Sequence, residues 1–177
     1  MVFEKTVFED VWIIKPEAKN DERGYFERIF CQKEFKKRKI KFPIAQINRS
    51  YNCKRGIIRG LHFQKPPNDE AKIVQVIKGE IFDVIVDIRK KSRTFGQWVS
   101  TVLNEENQKM LVIPPGFAHG YQTLTVQSEL LYFMSKEFDA FSSDGILWND
   151  PRLKIIWPIA NPIVSAKDQG WSLLNDL

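Results

Sequence analysis

The sequence predicts an all-β fold, a sandwich or closed barrel made of many short strands with a few short peripheral helices. Three observations carry this. Apolar residues recur mostly with period two, the spacing of a pleated strand. The candidate strands follow one another at near-regular intervals, with turn residues between them. Few stretches have helical periodicity.

In chain order, Val11-Trp12-Ile13-Ile14 reads as the first strand, and a helix is expected over residues 32–39. Residues 72–77 and 80–88 are rich in Val and Ile and flank Lys78-Gly79, the pattern of two strands joined at a glycine turn. Residues 98–103, 110–113, 121–125 and 129–133 continue the series. Pro66-Pro67-Asn68-Asp69, Pro114-Pro115-Gly116 and Ser142-Ser143-Asp144-Gly145 are turn signals. Trp148-Asn149-Asp150-Pro151 reads as a short helix or a turn. Val84-Ile85-Val86 puts apolar side chains on both faces of one strand, which calls for cover by a second sheet or a partner subunit. No linker, repeat or low-complexity stretch interrupts residues 1–177, so one domain is expected.

Composition narrows the function classes. Hydrophobic residues are 43% and charged residues 28%, as in an ordinary globular protein. No apolar run approaches the ~18 residues of a membrane helix, and Met1-Val2-Phe3-Glu4-Lys5 is not the start of a secretory signal. Cys31 and Cys53 have neither metal nor redox spacing and read as free thiols in a reducing cytoplasm. The formal charge of +5 is concentrated in Lys36-Lys37-Arg38-Lys39 and Arg89-Lys90-Lys91. These read as a solvated helix face and a loop rather than a nucleic-acid patch. A positive balance also suits a protein that receives a nucleotide diphosphate.

Only two histidines occur. His62 lies in Arg59-Gly60-Leu61-His62-Phe63-Gln64 and His119 in Pro114-Pro115-Gly116-Phe117-Ala118-His119-Gly120. Each ends a predicted strand beside glycine, where a ligand can approach the backbone. The segment Pro114-x-Gly116-x-x-His119 resembles the second metal motif of cupins. The first cupin motif usually offers His-x-His, and here the matching place is His62-Phe63-Gln64. A metal site from His62, His119 and a carboxylate such as Glu70 would lack one imidazole. We therefore expect no metal and no cofactor.

Six segments in order resemble the dTDP-4-dehydrorhamnose 3,5-epimerase family: Arg23-Gly24-Tyr25-Phe26, Gln46-Ile47-Asn48-Arg49-Ser50, the two histidine segments, Trp148-Asn149-Asp150-Pro151 and Ser165-Ala166-Lys167-Asp168. The resemblance implies a metal-free, cupin-type jelly roll acting as a homodimer on a nucleotide-linked 4-keto-6-deoxy sugar. It implies His62 as base, Asp168 as its carboxylate partner, Tyr132 as acid and Lys72 beside the keto oxygen. It also implies substrate contacts from Arg23, Gln46, Asn48, Arg59, His119 and Lys167. The chemistry is coherent. A proton alpha to a ketone is removed, an enolate forms, and return of a proton to the other face inverts the centre.

Three positions depart from the family pattern. Arg28 stands where Glu is usual, with Glu27 beside it; Phe138 replaces the usual Tyr that stacks on the base; Ser143 stands where Glu is expected. The departures suit drift at a tolerant rim or a CDP- or GDP-linked substrate. Two other classes are a metal-dependent cupin oxygenase or isomerase and a silent sugar-nucleotide-binding module. Against the module stand His62, Lys72, Tyr132 and Asp168, since binding alone needs no base and acid.

Overall fold

A computed structural model describes residues 1–176; Leu177, the last residue of the expected domain, lies outside the described residues. Two antiparallel sheets stack face to face as a jelly roll. The strands are β1 (Val2–Lys5), β2 (Trp12–Lys15), β3 (Lys19–Asp21), β4 (Gly24–Phe26), β5 (Gln46–Asn52), β6 (Ile57–Gln64) and β7 (Lys72–Lys78), then β8 (Glu80–Asp87), β9 (Trp98–Asn104), β10 (Met110–Ile113), β11 (Phe117–Thr123), β12 (Ser128–Met134), β13 (Ser143–Gly145) and β14 (Ile163–Val164). The first sheet runs β1-β2-β10-β7-β12-β5 and the second β13-β6-β11-β8-β9, with β14 added parallel to β6. β3 and β4 form a separate hairpin.

Alternation decides where each side chain goes. Val74 and Val76 of β7 point between the sheets, as do Ile81 and Ile85 of β8 and Leu111 and Ile113 of β10. Their neighbours point outwards. Ile73, Met110 and Val112 form a second apolar layer under Phe35 and Phe42. Val84 and Val86 form a third, under Leu153 and Leu174 of the C-terminal segment. The doubly apolar strand β8 is therefore covered by the first sheet on one side and by the chain's own tail on the other. It gives no independent sign of a partner subunit.

Several elements differ from the sequence expectation. Helix α1 covers Gln32–Lys37 and stops at Arg38, because Lys39 takes a left-handed φ of 61°. Residues 148–151 are turns, one of the two forms expected, and the Asp150 carbonyl accepts from the N–H groups of Leu153 and Lys154. Residues 143–145 were expected as a turn, but Ser143 to Gly145 pair with β6. His62 and His119 lie within strands rather than at their ends, and they face each other in register across β6 and β11. Among the described residues, no helix is long and apolar enough to cross a membrane.

Candidate active site

β6 and β11 run close together because neither Gly60 nor Gly120 has a side chain. A Cβ on Gly60 would sit 2.5 Å from the Gly120 Cα, at a φ of +133°. The register shift between His119 and Tyr121 lies at the same place. This contact sets His62 and His119 side by side on one wall of a cleft.

A short helix, α2 (Ala166–Gln169), supplies the partner of His62. Ser165 caps it by accepting from the Asp168 N–H. Asp168 is thereby turned inwards, where its Oδ1 lies 2.6 Å from His62 Nε2. The Trp171 indole N–H donates to the same oxygen and the Gly60 N–H to Oδ2. Burial pushes the Asp168 carboxyl up, but these donors outweigh burial and hold it below the usual carboxylate value. With Nε2–H donating to an ionised Asp168, His62 Nδ1 carries the free lone pair.

The opposite wall comes from the first sheet. Tyr132 of β12 is flanked by Asn48 of β5 and Val74 of β7. Burial, the neighbouring Tyr121 and the Asp83 charge push its phenol well above 10.0, partly opposed by Arg59. Tyr132 is therefore a protonated donor near neutral pH. Its ring meets His119 edge-on at 6.3 Å. His119 Nε2 lies 2.8 Å from Asp83 Oδ2, and both residues are buried. Burial raises the Asp83 carboxyl against the pull of His119 and Lys72.

Lys72 begins β7 with its side chain 10% exposed, and its ammonium lies 3.0 Å from Glu70 Oε1. The cleft has two adjoining chambers. One, of about 280 Å³, is lined by His62, Lys72, His119, Tyr121, Tyr132 and Arg59 among others. The second, of about 200 Å³, adds Gln46, Phe138, Ser143 and Lys167 and shares Asn48, His62 and Lys72 with the first. Arg59 is held by Asn52 Oδ1 at 2.8 Å and Gln46 by Asn48 Oδ1 at 2.8 Å. The Lys167 ammonium lies over the Trp171 ring.

Ten of the twelve residues singled out from sequence thus meet in one cleft. Arg23 and Arg28 do not. Arg23 sits on the β3–β4 hairpin, paired with Asp21 and 84% exposed; Arg28 lies near Glu34. Asp83, Tyr121 and Trp171 were not singled out from sequence, and Glu70 was named there only as a possible metal ligand. Asp83 carried a readable signal, an acid in phase with inward-facing Ile81 and Ile85. Among the described residues, no group of three or more His, Cys, Asp or Glu side chains is placed to hold a metal. Each histidine instead spends its Nε2 on a carboxylate.

A family model described as dTDP-4-dehydrorhamnose 3,5-epimerase matches residues 5–176. The chain belongs to this family. It is an epimerase, an isomerase acting on carbohydrates. The epimerase is 44% identical to dTDP-4-dehydrorhamnose 3,5-epimerase of Shigella flexneri over 93% of this chain and 91% of the relative. Its fold overlays the crystal structure of dTDP-4-dehydrorhamnose 3,5-epimerase from Bacillus anthracis, which has TDP and PPi bound. The TM-score is 0.95 at 40% identity, with 97% of this chain and 98% of that one covered. A Legionella pneumophila epimerase in complex with dTDP-4-keto-L-rhamnose overlays with a TM-score of 0.93 at 38% identity, covering 98% and 93%. These relatives support a dTDP-linked substrate and give no support to a CDP- or GDP-linked one.

Proposed function

We propose that this epimerase inverts both C3 and C5 of a dTDP-linked 4-keto-6-deoxyhexose, the dTDP-4-dehydrorhamnose 3,5-epimerase reaction. The observation that carries the reading is the placement of a His–Asp pair and a protonated phenol on opposing sheets of one cleft, with a lysine lining the same cleft. His62 Nδ1 removes the proton alpha to the ketone. The electrons move onto the C4 oxygen, where the Lys72 ammonium offsets the developing charge. The Tyr132 hydroxyl then delivers a proton to the opposite face, and solvent resets both groups. Asp168 holds the imidazole ring and stabilises its charged form. Arg59 and Lys167 face the diphosphate, and Gln46, Asn48, His119 and Phe138 shape the rest of the cleft.

Inversion at both centres is preferred because resemblance to the double epimerases is higher. The chain is 44% identical to the Shigella flexneri enzyme but 36% to a dTDP-4-dehydrorhamnose 3-epimerase of Streptomyces niveus. The test is turnover of dTDP-4-keto-6-deoxyglucose in deuterated water, read by NMR. Deuterium is expected at C3 and C5 and is lost in His62→Asn. Label at C3 alone would reject double inversion.

The same reading makes the enzyme a homodimer of one-domain chains. Arg23 and Arg28 lie outside the cleft, on an arm whose Tyr25 and Phe26 are 60% and 72% exposed. They reach a diphosphate only in a second copy. Mixing Arg23→Ala with His62→Asn protein should then restore activity, and failure to restore any would reject the crossed arm. Cytoplasmic residence fits the free thiols of Cys31 and Cys53.

A further inference from the structure

We infer that Glu70 is a positioning residue for the reaction, fixing the direction in which the Lys72 ammonium points. The inference rests on the role given above to Lys72. Glu70 stands two residues before Lys72, just ahead of the start of β7. Both are almost fully buried, at 3% and 10% side-chain exposure, with Oε1 and Nζ 3.0 Å apart. The ammonium also donates to the His62 carbonyl oxygen at 3.2 Å. A lysine ammonium has three hydrogens. One goes to the backbone of the base itself, and the Glu70 carboxylate holds the ammonium from a second side, at the cleft that Lys72 lines with His62 and Tyr132. The stretch between them is tied down as well. The Ala71 N–H donates to Ser135 Oγ at 2.7 Å, and the Ser135 N–H donates to the Ala71 carbonyl at 3.0 Å.

Glu70 has a second carboxylate oxygen that faces no donor among the described residues. Oε2 is buried and has no hydrogen-bond partner among the described residues, while Glu70 lines the chamber shared with Gln46, Asn48 and Lys167. A buried carboxylate with one oxygen bare is costly to the fold. Without Glu70 the flexible lysine stem loses one of its two holds and has several rotamers to choose from. Its charge would then no longer be held where negative charge develops on the keto oxygen. The loss should appear in kcat more than in nucleotide binding.

The test compares Glu70→Gln, Glu70→Asp and Glu70→Leu with Lys72→Met and with Glu70→Leu/Lys72→Met. Each protein is assayed for turnover of dTDP-4-keto-6-deoxyglucose and for dTDP binding. Glu70→Gln keeps an acceptor of the same reach and should stay within about fivefold of wild type. Glu70→Asp withdraws the acceptor by one methylene and should lose about tenfold in kcat, and Glu70→Leu about a hundredfold, with dTDP affinity within about threefold. The double variant should be no slower than Lys72→Met alone, because both changes remove one device. Losses that multiply in the double variant overturn the inference, as does full activity in both Glu70→Asp and Glu70→Leu. Full activity of Lys72→Met overturns the role of Lys72, and the inference with it. If Glu70→Leu does not fold, Glu70→Asp carries the test with the same kcat and binding readouts.

Discussion

Replacing Asp168 by Asn is the most direct challenge to the reading of His62 as base. Three N–H donors converge on the carboxylate: His62 at 2.6 Å, Trp171 at 3.2 Å and Gly60 at 3.3 Å. An amide of the same shape accepts on one end only, so its NH2 must face at least one of these donors. The charge-assisted bond to the imidazolium formed during catalysis contributes about 1.5–3 kcal/mol, and a mismatched buried donor costs about 1–3 kcal/mol more. The His62 side chain is 39% exposed, which places the sum toward its lower half. A loss of about 3–4 kcal/mol corresponds to about 10²–10³ in kcat. Deuterium washout from C5 measures it directly, with dTDP affinity as the control for an intact cleft. Asp168→Asn enzyme within fivefold of wild type would refute the dyad. Stability has its own pH signature. The Asp168 carboxyl is held below 3.8 in the fold, so its contribution is fully present above that value. It disappears as pH falls through the lower folded value. The gap in Tm between wild type and Asp168→Asn should therefore be full at pH 6 and narrow as pH falls below 3.8 into acid.

Tyr132→Phe removes the donor but keeps the ring packed against His119. It should slow inversion at least about 10²-fold while dTDP binds normally; equal losses in rate and affinity would reduce Tyr132 to packing. Gly60→Ala places a methyl 2.5 Å from the Gly120 backbone at a φ that L residues avoid. Thermal unfolding should report destabilisation of about 3 kcal/mol or more, and an unchanged Tm would mean the two strands separate freely.

The strands with Val and Ile in phase, β7, β8 and β10, were legible because each has a buried face and side chains alternate across it. β5 was not, since Gln46-Ile47-Asn48-Arg49-Ser50 turns polar side chains into the cleft and carries no apolar alternation. β13 hid for a different reason: Ser-Ser-Asp-Gly is turn chemistry, and pairing with β6 overrides it. The four residues of α2 are too few to show a period, so nothing local announced that Asp168 turns inwards. The pairing of His62 with Asp168 spans 106 residues. Only family resemblance suggested it, because spacing along the chain says nothing about contact across a barrel. Glu70 was considered as a metal ligand, whereas its role as a neighbour of Lys72 depends on both side chains being buried together.

The tail of the chain seals an apolar face and also delivers half of the base. Leu153 and Leu174 cover Val84 and Val86, while Ile163 pairs with Ile57 and Asp168 reaches His62. A chain whose two sheets have stacked but whose tail is still undocked therefore has an unsupported imidazole. Turnover then acts as a readout of the docked tail: a molecule that has closed its barrel but not its last layer holds the cleft with a weakened base.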